Sequence, residues 1–105
     1  MPEPDAAEYD CRVARAARAA VSIWCEVRQG TTRPWKAAHL QDLSPEGFRI
    51  EHFPEARMQV PLRIRIPGLH LLSARLCWTR NGAAGCEFVE PLHVAVFEHI
   101  VRLAA

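Results

Sequence analysis

The sequence lacks the features that mark membrane, secreted and DNA-binding proteins. No apolar stretch approaches the roughly 20 residues of a membrane-spanning helix, and the N-terminus has neither the basic start nor the apolar segment of a secretion signal. We therefore expect a cytoplasmic protein without membrane insertion. The net charge of +1 does not provide the strong positive field of proteins that bind DNA chiefly through phosphate contacts, so we expect no DNA binding.

Groupings of side chains that catalyse reactions or bind metals are also scarce. The four cysteines include no closely spaced pair of the kind that zinc and redox sites use, which predicts small buried side chains in a reducing compartment. The five histidines lack the spacing of metal ligands, and no nucleophile is paired in sequence with a base. The sequence therefore predicts no catalytic residue, no metal and no cofactor, and it makes no positive case for an enzyme.

The chain length of 105 residues fits one domain with one hydrophobic core. Half of the residues are hydrophobic and 24% are charged, which is a globular balance. Residues 1–10 contain four acidic residues and two prolines but no basic residue, a composition that predicts a flexible acidic tail. Residues 11–105 are predicted to form a single domain, which begins with an arginine-rich segment and ends with a helix.

Short alternating segments indicate β-strands. Residues 21–27 and 60–66 alternate apolar and polar side chains with the period of two that buries one face of a sheet, and Asn81-Gly82 is typical of a hairpin turn. Pro91 suits the first position of a helix. The apolar face of that predicted helix consists of Val94, Phe97, Val101 and Ala104. Because closure removes exposed sheet edges, these short strands favour a small closed β-barrel with the helix packed against it.

The segment DLSPEG, residues 42–47, is the strongest candidate for a binding site. In extended backbone, Asp42 and Ser44 project to one side while Leu43 points into the core, so a strand end is predicted to present a carboxylate and a hydroxyl together. Gly47 has no Cβ and can take positive φ, which lets a flat ligand approach the backbone. A carboxylate accepts hydrogen bonds from the imino and amino groups of guanine, and arginine can meet the O6 and N7 acceptors.

DLSPEG followed by FRI resembles the PilZ domain signature, in which Asp or Asn, any residue, Ser, two residues and Gly follow the second strand. The segment LCWTRNGAAGCEFVEPL, residues 76–92, resembles the closing hairpin of that family, with Trp78 before the turn and Gly85 after it. The resemblance implies a mainly β fold, a six-stranded antiparallel split β-barrel with one C-terminal α-helix. It also implies binding of the bacterial second messenger cyclic di-GMP, with Asp42, Ser44 and Gly47 as ligand contacts.

The second motif of the family is a pair of arginines, separated by three residues, just before the first strand. This sequence departs from it, because Arg12, Arg15 and Arg18 are each three apart and Ala14 occupies the place four before Arg18. Residues three apart point in opposite directions when extended but are neighbours in a helical turn, so a local turn would let two arginines converge. The resemblance carries Arg15 and Arg18 over as ligand contacts and leaves Arg12 as a phosphate contact.

Two functions follow from this departure. The first is a cyclic di-GMP receptor that relays its signal to an unidentified protein effector, and the second is a degenerate adaptor that acts by protein contacts alone. A barrel that binds single-stranded nucleic acid fits the near-neutral charge less well. Trp24 lies opposite the apolar face of the first strand, where it can stack on a base or a partner or pack under the helix, while Trp78 is predicted to be core and Trp35 to anchor a loop.

Overall fold

The structure, a computed structural model, describes residues 18–31 and 33–104. The predicted acidic tail, Arg12 and Arg15 therefore lie outside the described residues. In the described part of the chain, six strands are followed by one helix: β1 (Ala19–Gln29), β2 (Lys36–Leu43), β3 (Gly47–Glu51), β4 (Leu62–Arg65), β5 (Leu72–Arg80), β6 (Ala83–Phe88) and α1 (Val94–Ala104).

The strands form a closed antiparallel barrel in the order β1-β2-β3-β6-β5-β4, with β4 paired back to β1. This confirms the predicted fold class. The alternation of apolar and polar residues along the sequence explains how each strand buries one face. Val27 of β1 and Ile64 of β4 are paired and fully buried, while their neighbours along each strand face outward. The inward side chains form a single core that includes Leu40, Phe48 and Ile50.

The hairpin turn is confirmed, because Asn81 and Gly82 both have positive φ, as the two central residues of a type I′ turn require. Helix α1 is also present, but it begins at Val94, so Pro91 is not its first residue. Before it, the Nδ1 of His93 accepts a hydrogen bond from the backbone N–H of Ala95 at 3.0 Å, which caps the helix. Ile100 is its buried residue.

That burial corrects the predicted apolar face of the helix. The predicted set consisted of Val94, Phe97, Val101 and Ala104, but Val94 is 55% exposed and Ile100, which that set omitted, packs in the core. The helix contacts β1. Among the described residues, no helix is long and apolar enough to cross a bilayer.

The described cysteines, Cys25, Cys77 and Cys86, divide into two groups. Cys25 and Cys86 are buried free thiols, as predicted, and burial raises the pKa of Cys25 to about 12 and also raises the pKa of Cys86. Both are therefore unreactive thiols. Cys77 is also buried, as predicted, but it is disulfide-bonded, which corrects the expectation of a reduced side chain.

Trp78 lies on the outer surface of the barrel rather than in the core, which corrects its prediction. It faces Gly85 across the pair of β5 and β6, and its indole covers that glycine. A Cβ built on Gly85 would lie 2.1 Å from the indole Nε1. Glycine is therefore required at position 85 because the Trp78 ring lies so close to the backbone, and not because of the φ angle of Gly85.

We expect Gly85→Ala to displace Trp78 and to lower the free energy of unfolding by about 1–3 kcal/mol, the usual cost of overpacking. Urea unfolding would measure the cost. The same substitution in a Trp78→Ala background serves as the control, because the ring that clashes is then absent. An equal cost in the two backgrounds would contradict the proposed clash.

Candidate ligand-binding site

The turn between β2 and β3 is organised by one buried hydroxyl. The Oγ of Ser44, with no exposed area, accepts hydrogen bonds from the backbone N–H groups of Glu46 at 3.2 Å and Gly47 at 3.1 Å. The hydroxyl also donates to the carbonyl of Gly47 at 3.3 Å, and the Ser44 N–H donates to the same carbonyl at 2.9 Å. The sequence predicted a displayed hydroxyl at this position, whereas the structure buries it inside the turn.

The turn is also attached to two other parts of the fold. The N–H of Phe88, at the end of β6, donates to the carbonyl of Glu46 at 2.9 Å. The N–H of Leu92, just before α1, donates to the carbonyl of Pro45 at 2.7 Å. The turn residues 44–47 are thus bonded to one another and to the rest of the fold, and they provide a rigid support for Asp42, the first residue of DLSPEG.

A β-bulge turns Asp42 outward. Leu40 and Leu43 both point into the core although they are three residues apart, and the register between β2 and β3 shifts between Leu40 and Asp42. One extra residue, Gln41, is accommodated there, so Asp42 faces the outside of the barrel with about a quarter of its side chain exposed. Bulges often re-aim side chains at functional sites in this way.

Asp42 belongs to a row of residues that crosses the outer surface of the barrel. The row is defined by strand register: Ala20 pairs with Asp42, Asp42 with Arg49, Arg49 with Gly85, and Gly85 with Trp78. At about 4.8 Å per strand, Asp42 and Trp78 are separated by about 14 Å along the row. A second bulge, between Leu76 and Trp78, lies at its far end. We call this set of residues the outer row.

Arg49 is a member of the outer row that was not predicted as a ligand contact. Its Nη1 lies 4.0 Å from an Oδ of Asp42, and its Nη2 donates to Glu51 at 2.8 Å. Its Nε is buried and has no hydrogen-bond partner in the described part of the chain. The signal in the sequence was the alternation of FRI, which places Arg49 outward between buried Phe48 and Ile50.

The Asp42 carboxylate remains available. Within residues 18–31 and 33–104 it accepts no direct hydrogen bond, and the Arg49 contact at 4.0 Å is an ion pair. A carboxylate beside a guanidinium can accept from two donors of a flat polar ligand, while the guanidinium donates to an acceptor on the same ligand. The outer row therefore offers complementary groups side by side.

The structure brings one predicted arginine to this site. Arg18 is exposed and directly precedes Ala19, which pairs with Leu43, so Arg18 lies beside the start of the turn. Arg12 and Arg15 belong to the part of the chain that is not described, and their roles stay predictions.

Gly47 is buried at the start of β3, and the described glycines with positive φ are Gly30, Gly68 and Gly82, so the turn does not use the predicted positive φ.

Trp24 lies apart from the outer row. It is 58% exposed and stacks against His52, with ring centroids 5.4 Å apart, while His39 contacts it at 5.0 Å. It lines a groove of about 450 Å³ beside Leu103 of the helix, so the ring is not packed underneath α1.

Within the described ranges, no group of three His, Cys, Asp or Glu side chains is placed to hold a metal ion.

The described chain is thus a small closed β-barrel whose outer surface carries a carboxylate beside an arginine. The family model described as "PilZ domain" matches residues 12–105. The crystal structure of the PilZ domain of CeSA from a cellulose-synthesizing bacterium is similar, with a TM-score of 0.63 at 21% identity, over 85% of this chain and 95% of that one. No curated protein has a matching sequence.

The chain belongs to the PilZ domain family. This confirms the resemblance seen in DLSPEG and in the closing hairpin. PilZ domains generally bind cyclic di-GMP and serve as binding or adaptor domains rather than as catalysts. The similarity to the CeSA domain supports the fold of this chain.

We expect Ser44→Ala to lower the free energy of unfolding by about 1–3 kcal/mol, because it leaves a buried backbone N–H without its acceptor. Chemical denaturation measures the change. Ser73→Ala is the matched control: this serine is exposed on β5 and its loss should change stability by less than about 0.5 kcal/mol. Equal stability of the two variants would show that the buried hydroxyl does not hold the turn.

Proposed function

We propose that the protein is a receptor for cyclic di-GMP, which binds on the outer surface of the barrel against the outer row and Arg18. The observation that carries the proposal is the bulge that turns Asp42 outward beside Arg49, with its carboxylate free of direct hydrogen bonds from the described residues. The proposed receptor relays the signal to a protein effector.

The chemistry of guanine fits this arrangement. Its N1–H and N2–H₂ donors point the same way and suit one carboxylate, which is the role proposed for Asp42. Its O6 and N7 acceptors, and the phosphates of the ring, suit the guanidinium groups of Arg18 and Arg49. In this proposal Ser44 and Gly47 shape the turn that supports Asp42.

A second function, a PilZ adaptor that no longer binds nucleotide, is favoured by two observations. Arg15 and Arg18 are three residues apart instead of four, and Ala14 stands where the family pattern has an arginine. The Ser44 hydroxyl is also used entirely within the turn. Titration of the protein with cyclic di-GMP by calorimetry in moderate salt separates the two functions, because only the receptor releases or absorbs heat on binding.

For the receptor, Asp42→Ala should weaken cyclic di-GMP binding by about 1–3 kcal/mol, which is roughly 5- to 150-fold in Kd, since a good base contact is lost. Glu98→Gln on the exposed side of α1 is the control for removal of one negative charge, and it should leave Kd unchanged. Circular dichroism should show that both variants are folded. An Asp42→Ala protein that binds like the parent would refute the proposed guanine contact.

The arginine spacing generates a separate prediction. Ala14→Arg should tighten binding by about tenfold or more, because a second guanidinium on the same face of an extended segment adds a charge-assisted hydrogen bond of roughly 1.5–3 kcal/mol. The gain should shrink as salt is raised from 50 to 300 mM. An unchanged affinity would mean that Arg15 already fills this position through a local turn.

A further inference from the structure

The outer surface of β1 and β4 carries arginines that face each other. Arg28 on β1 is directly paired with Arg63 on β4, and the next outward pair along the two strands is Glu26 with Arg65. The intervening residues, Val27 and Ile64, point into the core. We call the arginine face the set formed by Arg28, Arg63 and Arg65, together with Trp35, which immediately precedes β2.

The carboxylates near this surface are already paired. Glu26 accepts from Arg65 at 2.9 Å, and Glu55 is bonded to Lys36. Among the described residues, no carboxylate is within ion-pair distance of Arg28 or Arg63. The arginine face therefore holds two uncompensated positive charges on a molecule whose net charge is only +1.

One indole holds two guanidinium groups of this face, those of Arg28 and Arg65. The Arg65 guanidinium lies 3.9 Å and that of Arg28 4.8 Å from the centre of the Trp35 ring, so two arginines stack on one indole. Like charges directly opposite each other on paired strands destabilise a sheet. The Arg28–Arg63 pair is thus a local cost to folding that no carboxylate of the described residues offsets, and a bound anion would reduce it.

We propose that the arginine face docks an acidic helix of a partner protein, through carboxylates four residues apart. Side chains directly opposite on paired strands have Cβ atoms about 4.5–5.5 Å apart, and residues four apart on a helix have Cβ atoms about 5–6 Å apart. Two aspartates or glutamates at that spacing can meet Arg28 and Arg63 at the same time. Each guanidinium can form paired hydrogen bonds with one carboxylate.

The small number of uncompensated arginines favours an acidic protein as the partner over nucleic acids and anionic lipids. Tight DNA binding typically neutralises about 6–10 phosphates, and lipid-binding segments carry about 4–8 basic residues, whereas this face has two uncompensated guanidinium groups. Trp35 is half-buried between the arginines and does not protrude as a membrane anchor. Arg28 is eight residues along β1 from Ala20 of the outer row, about 26 Å, so this interaction is separate from the proposed nucleotide site.

The test uses a fluorescein-labelled, alanine-rich helical peptide of about 20 residues with glutamates in i, i+4 pairs, titrated with the full chain at 50 mM salt. Arg63→Glu should weaken peptide binding at least tenfold. Arg102→Glu on α1 is the matched control with the same change of charge on an exposed arginine, and it should change binding less than threefold. The melting temperature of Arg63→Glu should not fall, because an opposite-charge pair replaces a like-charge pair.

Each result has a defined meaning. Selective loss with Arg63→Glu, together with weaker binding at 300 mM salt, supports the proposal. No binding of the peptide, or equal loss with Arg102→Glu, overturns it. Tighter, Arg63-dependent binding of oligo-dT or of phosphatidylglycerol vesicles overturns it in favour of nucleic acid or membrane. Cyclic di-GMP affinity of Arg63→Glu, measured in parallel, should be unchanged, so this proposal and the receptor proposal fail or succeed independently.

Discussion

The buried hydroxyl of Ser44 is the interaction on which the candidate site depends. It satisfies two backbone N–H groups of the turn and donates to a carbonyl of the same turn, so the chain can reverse tightly between β2 and β3 without orphaned polar groups. Because carbonyls of that turn accept from Phe88 and Leu92, the end of β6 and the entry to α1 are bonded to it. A change at this hydroxyl would therefore reach three parts of the barrel.

This arrangement assigns different roles to residues of one short motif. Ser44 and Gly47 are buried and build the turn, while Asp42 is held outward by the bulge at Gln41. A carboxylate on a rigid strand end is positioned before any ligand arrives, which reduces the entropy lost on binding. The outer row contains a β-bulge in β2 and another in β5. Bulges disrupt the hydrogen-bond ladder and re-aim side chains, so two of them in one row are typical of a functional surface.

Period-two alternation and one Asn-Gly turn were sufficient to predict a small closed barrel, because they determine register when one face is buried, while the six-stranded form was implied by the resemblance to the PilZ family. It was insufficient where the alternation breaks. Nothing local showed that Gln41 is an extra residue, that Ser44 turns inward, or that Trp78 lies outside over Gly85, because each depends on a neighbouring strand. Arg49 was readable as an outward residue, but its place beside Asp42 required the pairing of β2 with β3. Ile100 was omitted from the predicted face although it lies three residues after Phe97 and four before Ala104, on the same side of the helix.

The closed barrel limits how the binding of a nucleotide could be signalled to a partner protein. Each strand pairs on both sides and the core is filled, so a ligand on the outer row has little freedom to deform the strands beneath it. A signal is then more easily carried by what the ligand covers at the surface near Arg18 than by a shift of the barrel. Strand β1 contributes to both the outer row and the arginine face, which lets one rigid element fix the distance between a ligand and a docked partner. Such a receptor would act by changing the surface that a partner meets, while its core stays the same in both states.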